Sequence, residues 1–211
     1  MTDAIPLRTL VIETATAACS VALFDGDGLI DARHQVVGRG HAELLVPMIG
    51  ELPEHGRAEQ ILVDVGPGSF TGLRVGISAA IGLGIGWGIP VFGFSSLPLI
   101  AVGVGDRTDA PECAVATEGG HGEVFVQLFA RAPFAALTDP VSLAPDAALA
   151  VIGGRPIVGN AARRLGDVPV IDALPDARHA MLLPPALRAL SPRPLYLRAP
   201  DAKLPGGITP A

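Results

Sequence analysis

ILVDVGPGSFTGLRVGISAAIGLGIGWGIPVFGF, residues 61–94, reads in turn as strand, glycine loop, helix and strand. Residues 61–65 form a short apolar run of the buried-strand type, and the turn-forming loop Gly66-Pro67-Gly68-Ser69-Phe70 follows it. A helix is predicted from about 71 to 87 and another strand over 90–94. Within that helix Gly72, Gly76, Ala80, Gly84 and Gly88 recur every fourth residue, so they form a stripe of small residues. Leu73, Ile77, Ile81 and Ile85 form an apolar ridge beside it. Glycine inside a helix costs about 1 kcal/mol relative to alanine, so several of them call for another backbone lying very close. The pattern leaves two candidates for that backbone: this chain's own sheet, or a partner subunit.

Upstream, residues 7–13, 19–25 and 29–37 are β-prone apolar runs, the last two joined by the turn Asp25-Gly26-Asp27-Gly28, and they predict three consecutive antiparallel strands. The period then changes over 41–52, where Leu44, Leu45, Met48, Ile49 and Leu52 fall on one face of a helix that Pro47 should kink. The resulting order β-β-β-α-β-α-β is that of a ribonuclease-H-like half of the actin/Hsp70 (ASKHA) superfold, an α/β fold of two such halves. A linker rich in glycine, aspartate and proline over 103–111 divides an N-terminal half, 1–106, from a smaller C-terminal half, 107–211. Strands are expected there at 113–117, 123–129 and near Ile157 and Val170, with a helix over 177–190 and a proline-studded tail.

The 211 residues are 49% hydrophobic and 17% charged, with a net charge of −6, and Lys203 is the only lysine. That balance can fill a core but lacks the basic footprint of an autonomous nucleic-acid binder. Cys19 and Cys113 have no second ligand at metal-site spacing and read as reduced thiols in a core, which suits the cytoplasm. Asp3, Pro6 and Arg8 interrupt the apolar run that a signal peptide needs. Residues 75–105 carry no charge and are long enough to cross a bilayer, but glycines and prolines break them into a helix, a turn and a short strand.

The loop at 66–72 could set amides and a helix N-terminus against an anion, with Arg74 nearby. It lacks the Gly-Lys-Ser/Thr end of a P-loop, so its glycines are read as a tight turn. Pro67 occupies the first position of any nucleophile elbow around Ser69. His34, His55, His121 and His179 have no ligand partner at i, i+4 spacing and read as surface residues.

Read together, GPGSFTGLRVGIS at 66–78 and GIPVFGFSSL at 88–97 resemble the signature block of the TsaB (YeaZ) family. Weaker matches follow the family's order: IETAT at 12–16, HAELLVPMI at 41–49, GEVF at 122–125 and PLYLRAPDAK at 194–203. The resemblance implies an actin-like fold and a heterodimer with the catalytic subunit TsaD. That partner transfers threonylcarbamoyl to N6 of adenosine 37 in tRNAs reading ANN codons, and an ATPase, TsaE, joins the complex. On this resemblance the partner-facing residues are His41, Leu44, Leu45 and Met48 of the first helix and Gly68, Phe70, Thr71, Gly72, Arg74, Val75, Gly76, Ser78, Ala79, Ala80 and Leu83 around the second. It thereby favours the partner over the chain's own sheet as occupant of the stripe. A homodimer is the alternative when the chain is isolated.

The resemblance also implies a subunit that is not itself an enzyme and holds no cofactor. TsaD-like relatives carry a His-Met-Glu-Gly-His metal motif where this chain has Ser96-Leu97-Pro98-Leu99-Ile100, which offers no imidazole, thiolate or carboxylate at that spacing. ATP-using members of the superfold place an Asp-x-Gly turn where Glu13-Thr14-Ala15 stands, and many TsaB relatives have Asp at Glu13 and Glu118. The competing reading is an enzyme of the same superfold, either a metallopeptidase-like glycoprotease or a small-molecule kinase.

Overall fold

The computed structural model describes residues 7–197, so the end of the 194–203 motif, with Arg198 and Lys203, lies outside the described residues. The first three apolar runs form β1 (Arg8–Glu13), β2 (Ala18–Asp25) and β3 (Gly28–Val36), an antiparallel meander. The connection from β3 carries α1 (His41–Gly50) to β4 (Gln60–Asp64), which pairs parallel with β1. Parallel neighbours need a crossover, and α2 (Phe70–Trp87) supplies it between β4 and β5 (Val91–Phe94). The first sheet is thus ordered β3-β2-β1-β4-β5. Next comes α3 (Ser96–Gly103), a helix absent from the sequence expectation, which assigned no element between the strand at 90–94 and the linker at 103–111. Its apolar residues run without period because nearly every side is covered, so no amphipathic signal marks it.

The second sheet repeats the plan. β6 (Glu112–Glu118) pairs antiparallel with β7 (Val124–Arg131), and the short β8 (Phe134–Ala136) and β9 (Val141–Leu143) both pair with β7. After α4 (Pro145–Ile152), β10 (Ile157–Gly159) lies parallel to β6. After α5 (Ala162–Leu165), β11 (Val170–Asp172) lies parallel to β10. Meander, helix, parallel strand, helix, parallel strand is the ribonuclease-H-like order in both sheets, and the second has the shorter helices. The molecule has the actin-like ASKHA fold with its second half reduced.

Four apolar clusters cover the two faces of each sheet. α1 and α2 cover one face of the first sheet through Leu45, Met48, Leu73 and Ile77, while α4 and α5 cover one face of the second through Ala148, Ile152 and Leu165. The inner faces are covered reciprocally. α3, which ends the first half, packs Leu97 and Ile100, with Val104 just beyond its end, on Cys113, Val115 and Phe129 of the second sheet. The turn Ala177–Leu182, which follows the second sheet, packs Ala177 and Ala180 on Val11, Ala22, Phe24 and Phe94 of the first.

The expected helix over 177–190 is instead two short 3-10 turns, Ala177–Leu182 and Pro185–Arg188. Pro184, between them, and Pro185, which opens the second, are consecutive residues without an N–H, so an α-helix running through both would lose two successive backbone hydrogen bonds. Beyond these turns, Leu190 exchanges two backbone hydrogen bonds with Gly93, at 2.7 and 3.0 Å, and the Leu195 N–H donates to the Val65 carbonyl at 2.7 Å. The tail of the second half is therefore stitched along the edge of the first.

Candidate partner interface

The approach to α2 is built from short polar contacts. Asp64 ends β4, and its Oδ1 accepts the Gly66 N–H at 2.6 Å. The hydroxyls of Ser95 and Ser96 donate to the carbonyls of Gly66 and Pro67, each at 2.7 Å. The Ser69 N–H donates to the Ala15 carbonyl at 2.6 Å, and its hydroxyl caps α2 by accepting the Gly72 N–H at 3.2 Å.

The glycine stripe faces inward. A Cβ at Gly72 would lie 2.1 Å from the Thr14 carbonyl oxygen, one at Gly76 2.3 Å from Thr14 Oγ1, and one at Gly84 2.5 Å from Val91 Cγ2. The close backbone that the stripe demands is this chain's own β1 turn and β5, which corrects the expectation of a partner groove along it. Gly72, Gly76 and Ala80 are buried here. His41 is buried too, its Nε2 2.9 Å from the Ala18 carbonyl oxygen, as are Leu45 and Met48. These six residues hold α1 and α2 on the sheet. The ridge also divides: Leu73 and Ile77 are buried, whereas Ile81 and Ile85 are exposed. Steps of four residues advance 400° on a 3.6-residue helix, so each member lies about 40° further round than the last.

The opposite face of α2 is open. Phe70, Thr71, Arg74 and Ser78 are exposed, with Val75, Ala79 and Leu83 of α2, Leu44 of α1 and Gly68 partly so. Ile81, Ile85 and, from α1, Val46 extend the apolar surface. Phe70, Thr71, Arg74, Val75 and Ser78 line a groove of about 430 Å³. Tyr196 comes from the tail to stack on Phe70, with ring centroids 5.6 Å apart. No spacing in the sequence marked Tyr196 as a neighbour of α2; the signal available was that the chain's only tyrosine sits in a matched motif.

The turn after β1 does not fit a nucleotide's phosphates. The Ala15 N–H donates to Glu13 Oε1 at 2.6 Å, and a Cβ on Gly68 would be 2.0 Å from the Ala15 carbonyl oxygen, so the chain's own loop fills that place. Beneath it, the fully buried Glu13 and Asp64 end adjacent parallel strands. Each has one oxygen, Glu13 Oε2 and Asp64 Oδ2, without a partner among the described residues. Burial raises the Asp64 carboxyl to about 8, and burial together with the Asp64 charge raises Glu13 well above the usual carboxylate range. No group of three or more histidine, cysteine, aspartate and glutamate side chains that could hold a metal occurs among the described residues. A second cavity, of about 280 Å³, opens between the halves and is lined by His34, Arg107, Asp176 and His179, among others. His179 is half-buried against Gly103, which corrects its reading as a surface residue.

A two-halved ASKHA fold whose phosphate turn is filled and whose longest helix presents an open, largely apolar face with one arginine, Arg74, defines a member of the superfold. A family profile described as TsaD, tRNA N6-adenosine threonylcarbamoyltransferase, matches residues 34–133. The tRNA threonylcarbamoyladenosine biosynthesis protein TsaB of Escherichia coli K12 is 36% identical over 126 residues, which is 56% of this chain and 53% of that protein. An uncharacterized protein of Mycobacterium tuberculosis H37Rv is 31% identical over 212 residues, covering 92% of this chain and 93% of its own. A solved structure of YeaZ from Pseudomonas aeruginosa superposes with a TM-score of 0.71 at 25% identity, covering 90% of this chain and all of that one. The chain belongs to the TsaB (YeaZ) family. Its matches span about half the length of the E. coli and Haemophilus influenzae TsaB proteins.

Proposed function

We propose that this chain is a cytoplasmic, non-catalytic subunit of tRNA threonylcarbamoyladenosine biosynthesis that docks a TsaD-type catalytic subunit through the open face of α2 and the adjoining edge of α1. The partner would transfer threonylcarbamoyl to N6 of adenosine 37, with a TsaE-type ATPase joining the complex and tRNA met through the partner. The observation that carries the reading is the solvent face of α2, where Phe70, Ile81 and Ile85 are 54%, 40% and 78% exposed on a helix whose other face is sealed by its own sheet. Apolar surface of this kind on a helix is favoured to be covered by another chain. The turn filled by the chain's own loop supports a scaffold over a small-molecule kinase.

The test is co-purification with the TsaD-type subunit of the same organism, comparing wild type with the double variant Ser78→Glu, Ile85→Glu. Both side chains are exposed, so the variant should melt like wild type yet lose the complex. A complex that survives both charges moves the docking face elsewhere, and turnover of ATP or a peptide by the isolated chain would restore the enzyme reading.

A further inference from the structure

Arg74 is the only charged residue of α2. Its guanidinium carbon lies 3.7 Å from the Phe70 ring centroid, and its Nε–H donates to the Tyr196 hydroxyl at 3.3 Å, while Tyr196 stacks on Phe70. The two rings and the hydroxyl hold the guanidinium at the rim of the groove. Among the described residues it has no carboxylate partner, and Tyr196 is itself held in place by the Leu195 to Val65 hydrogen bond. A cation fixed by an aromatic ring, with both terminal nitrogens left over, is preorganised for a planar bidentate acceptor.

Resting on the docking reading above, we propose that Arg74, positioned by Phe70 and Tyr196, receives an aspartate or glutamate carboxylate of the TsaD-type subunit at the edge of an otherwise apolar contact. Charge complementarity selects this occupant. A second copy laying its α2 on this one would bring no carboxylate from that helix, and on α2 itself a nucleic acid would meet one arginine and no other cation. The C-terminal segment of the second half then belongs to the docking surface: Tyr196 is a positioning residue that acts through Arg74.

The experiment is titration calorimetry of the wild-type chain, Arg74→Glu, Arg74→Gln, Tyr196→Phe and Tyr196→Ala against the TsaD-type subunit at low and high salt, with thermal melts of each variant. Arg74→Glu should weaken binding roughly tenfold or more, because it sets a carboxylate against the partner's carboxylate. Arg74→Gln should flatten the salt dependence. Tyr196→Ala should weaken binding at an unchanged melting temperature, with Tyr196→Phe between it and wild type because the ring remains. Wild-type binding matched by both Arg74 variants would overturn the carboxylate contact and leave the docking reading standing. No binding by wild type would overturn both. Self-association weakened by Arg74→Glu, with TsaD-type binding intact, would assign the arginine to a second copy and overturn the proposal.

Discussion

Glu13 and Asp64 lie side by side at the ends of β1 and β4, where each holds a loop N–H with one oxygen and leaves the other without a partner among the described residues. Burial disfavours their charged forms. The folded Asp64 carboxyl, at about 8, lies above its unfolded value, so the folded state binds the extra proton. Its contribution to stability is full below the ordinary aspartate range and is lost as pH rises toward 8, at about 1.4 kcal/mol per pH unit for one proton. Asp176 is lowered by Arg178 and weakens the fold only in acid, while His179, lowered by burial, favours the fold as pH rises. The difference between wild type and Asp64→Asn therefore isolates the pair. Asparagine keeps an acceptor for Gly66 and carries no charge, so melts between pH 5 and 9 should show the variant gaining on wild type as pH rises. A constant gap across that range would refute the raised Asp64 carboxyl. The sequence already marked Glu13 as a departure from the superfold's aspartate. That Asp64 is its neighbour follows only from the parallel register of β1 on β4.

Among the elements, α2 divides its glycines between two jobs. Gly72 and Gly76 touch the Thr14 backbone and hydroxyl, so Gly72→Ala or Gly76→Ala should destabilise by roughly 1–3 kcal/mol, the range of overpacked cores. Gly82 and Gly86 have nothing within 4 Å of a built Cβ, and Gly82→Ala or Gly86→Ala should stabilise by roughly 0.5–1 kcal/mol each through helix propensity alone. Urea unfolding of the four variants checks both signs, and a uniform response would contradict the facing assigned to α2. Every strand of the first sheet was legible from alternating or continuous apolar runs, and the helix at 71–87 from its fourfold small residues. Which side of that helix met solvent was not legible. A glycine stripe reports close approach without saying to what, and the ridge beside it winds from core to surface over its own length. α3 escaped because a helix covered on most sides has no period to read.

At the scale of the whole molecule, the halves exchange covers: α3 lies on the second sheet and the 177–182 turn on the first. Truncation after residue 173 should therefore bare Val11, Ala22, Phe24 and Phe94 and produce a chain that binds an apolar dye and melts well below the full one, although the first half keeps all its strands. A truncated chain melting like the full one would mean that this cover adds nothing.

The sequence by itself determined the order of elements from β1 to β5 and, through the 66–78 and 88–97 blocks, the TsaB family resemblance, because strand, turn and helix signals are local and a motif is contiguous. Only the tertiary structure decided that His41, Leu45, Met48, Gly72, Gly76 and Ala80 lie inside the chain, that Ile81 and Ile85 lie outside, and that Tyr196 reaches Phe70 and Arg74 from more than a hundred residues away. Local periodicity states that a face is apolar or small. What covers that face depends on which distant segment the sheet topology carries to it.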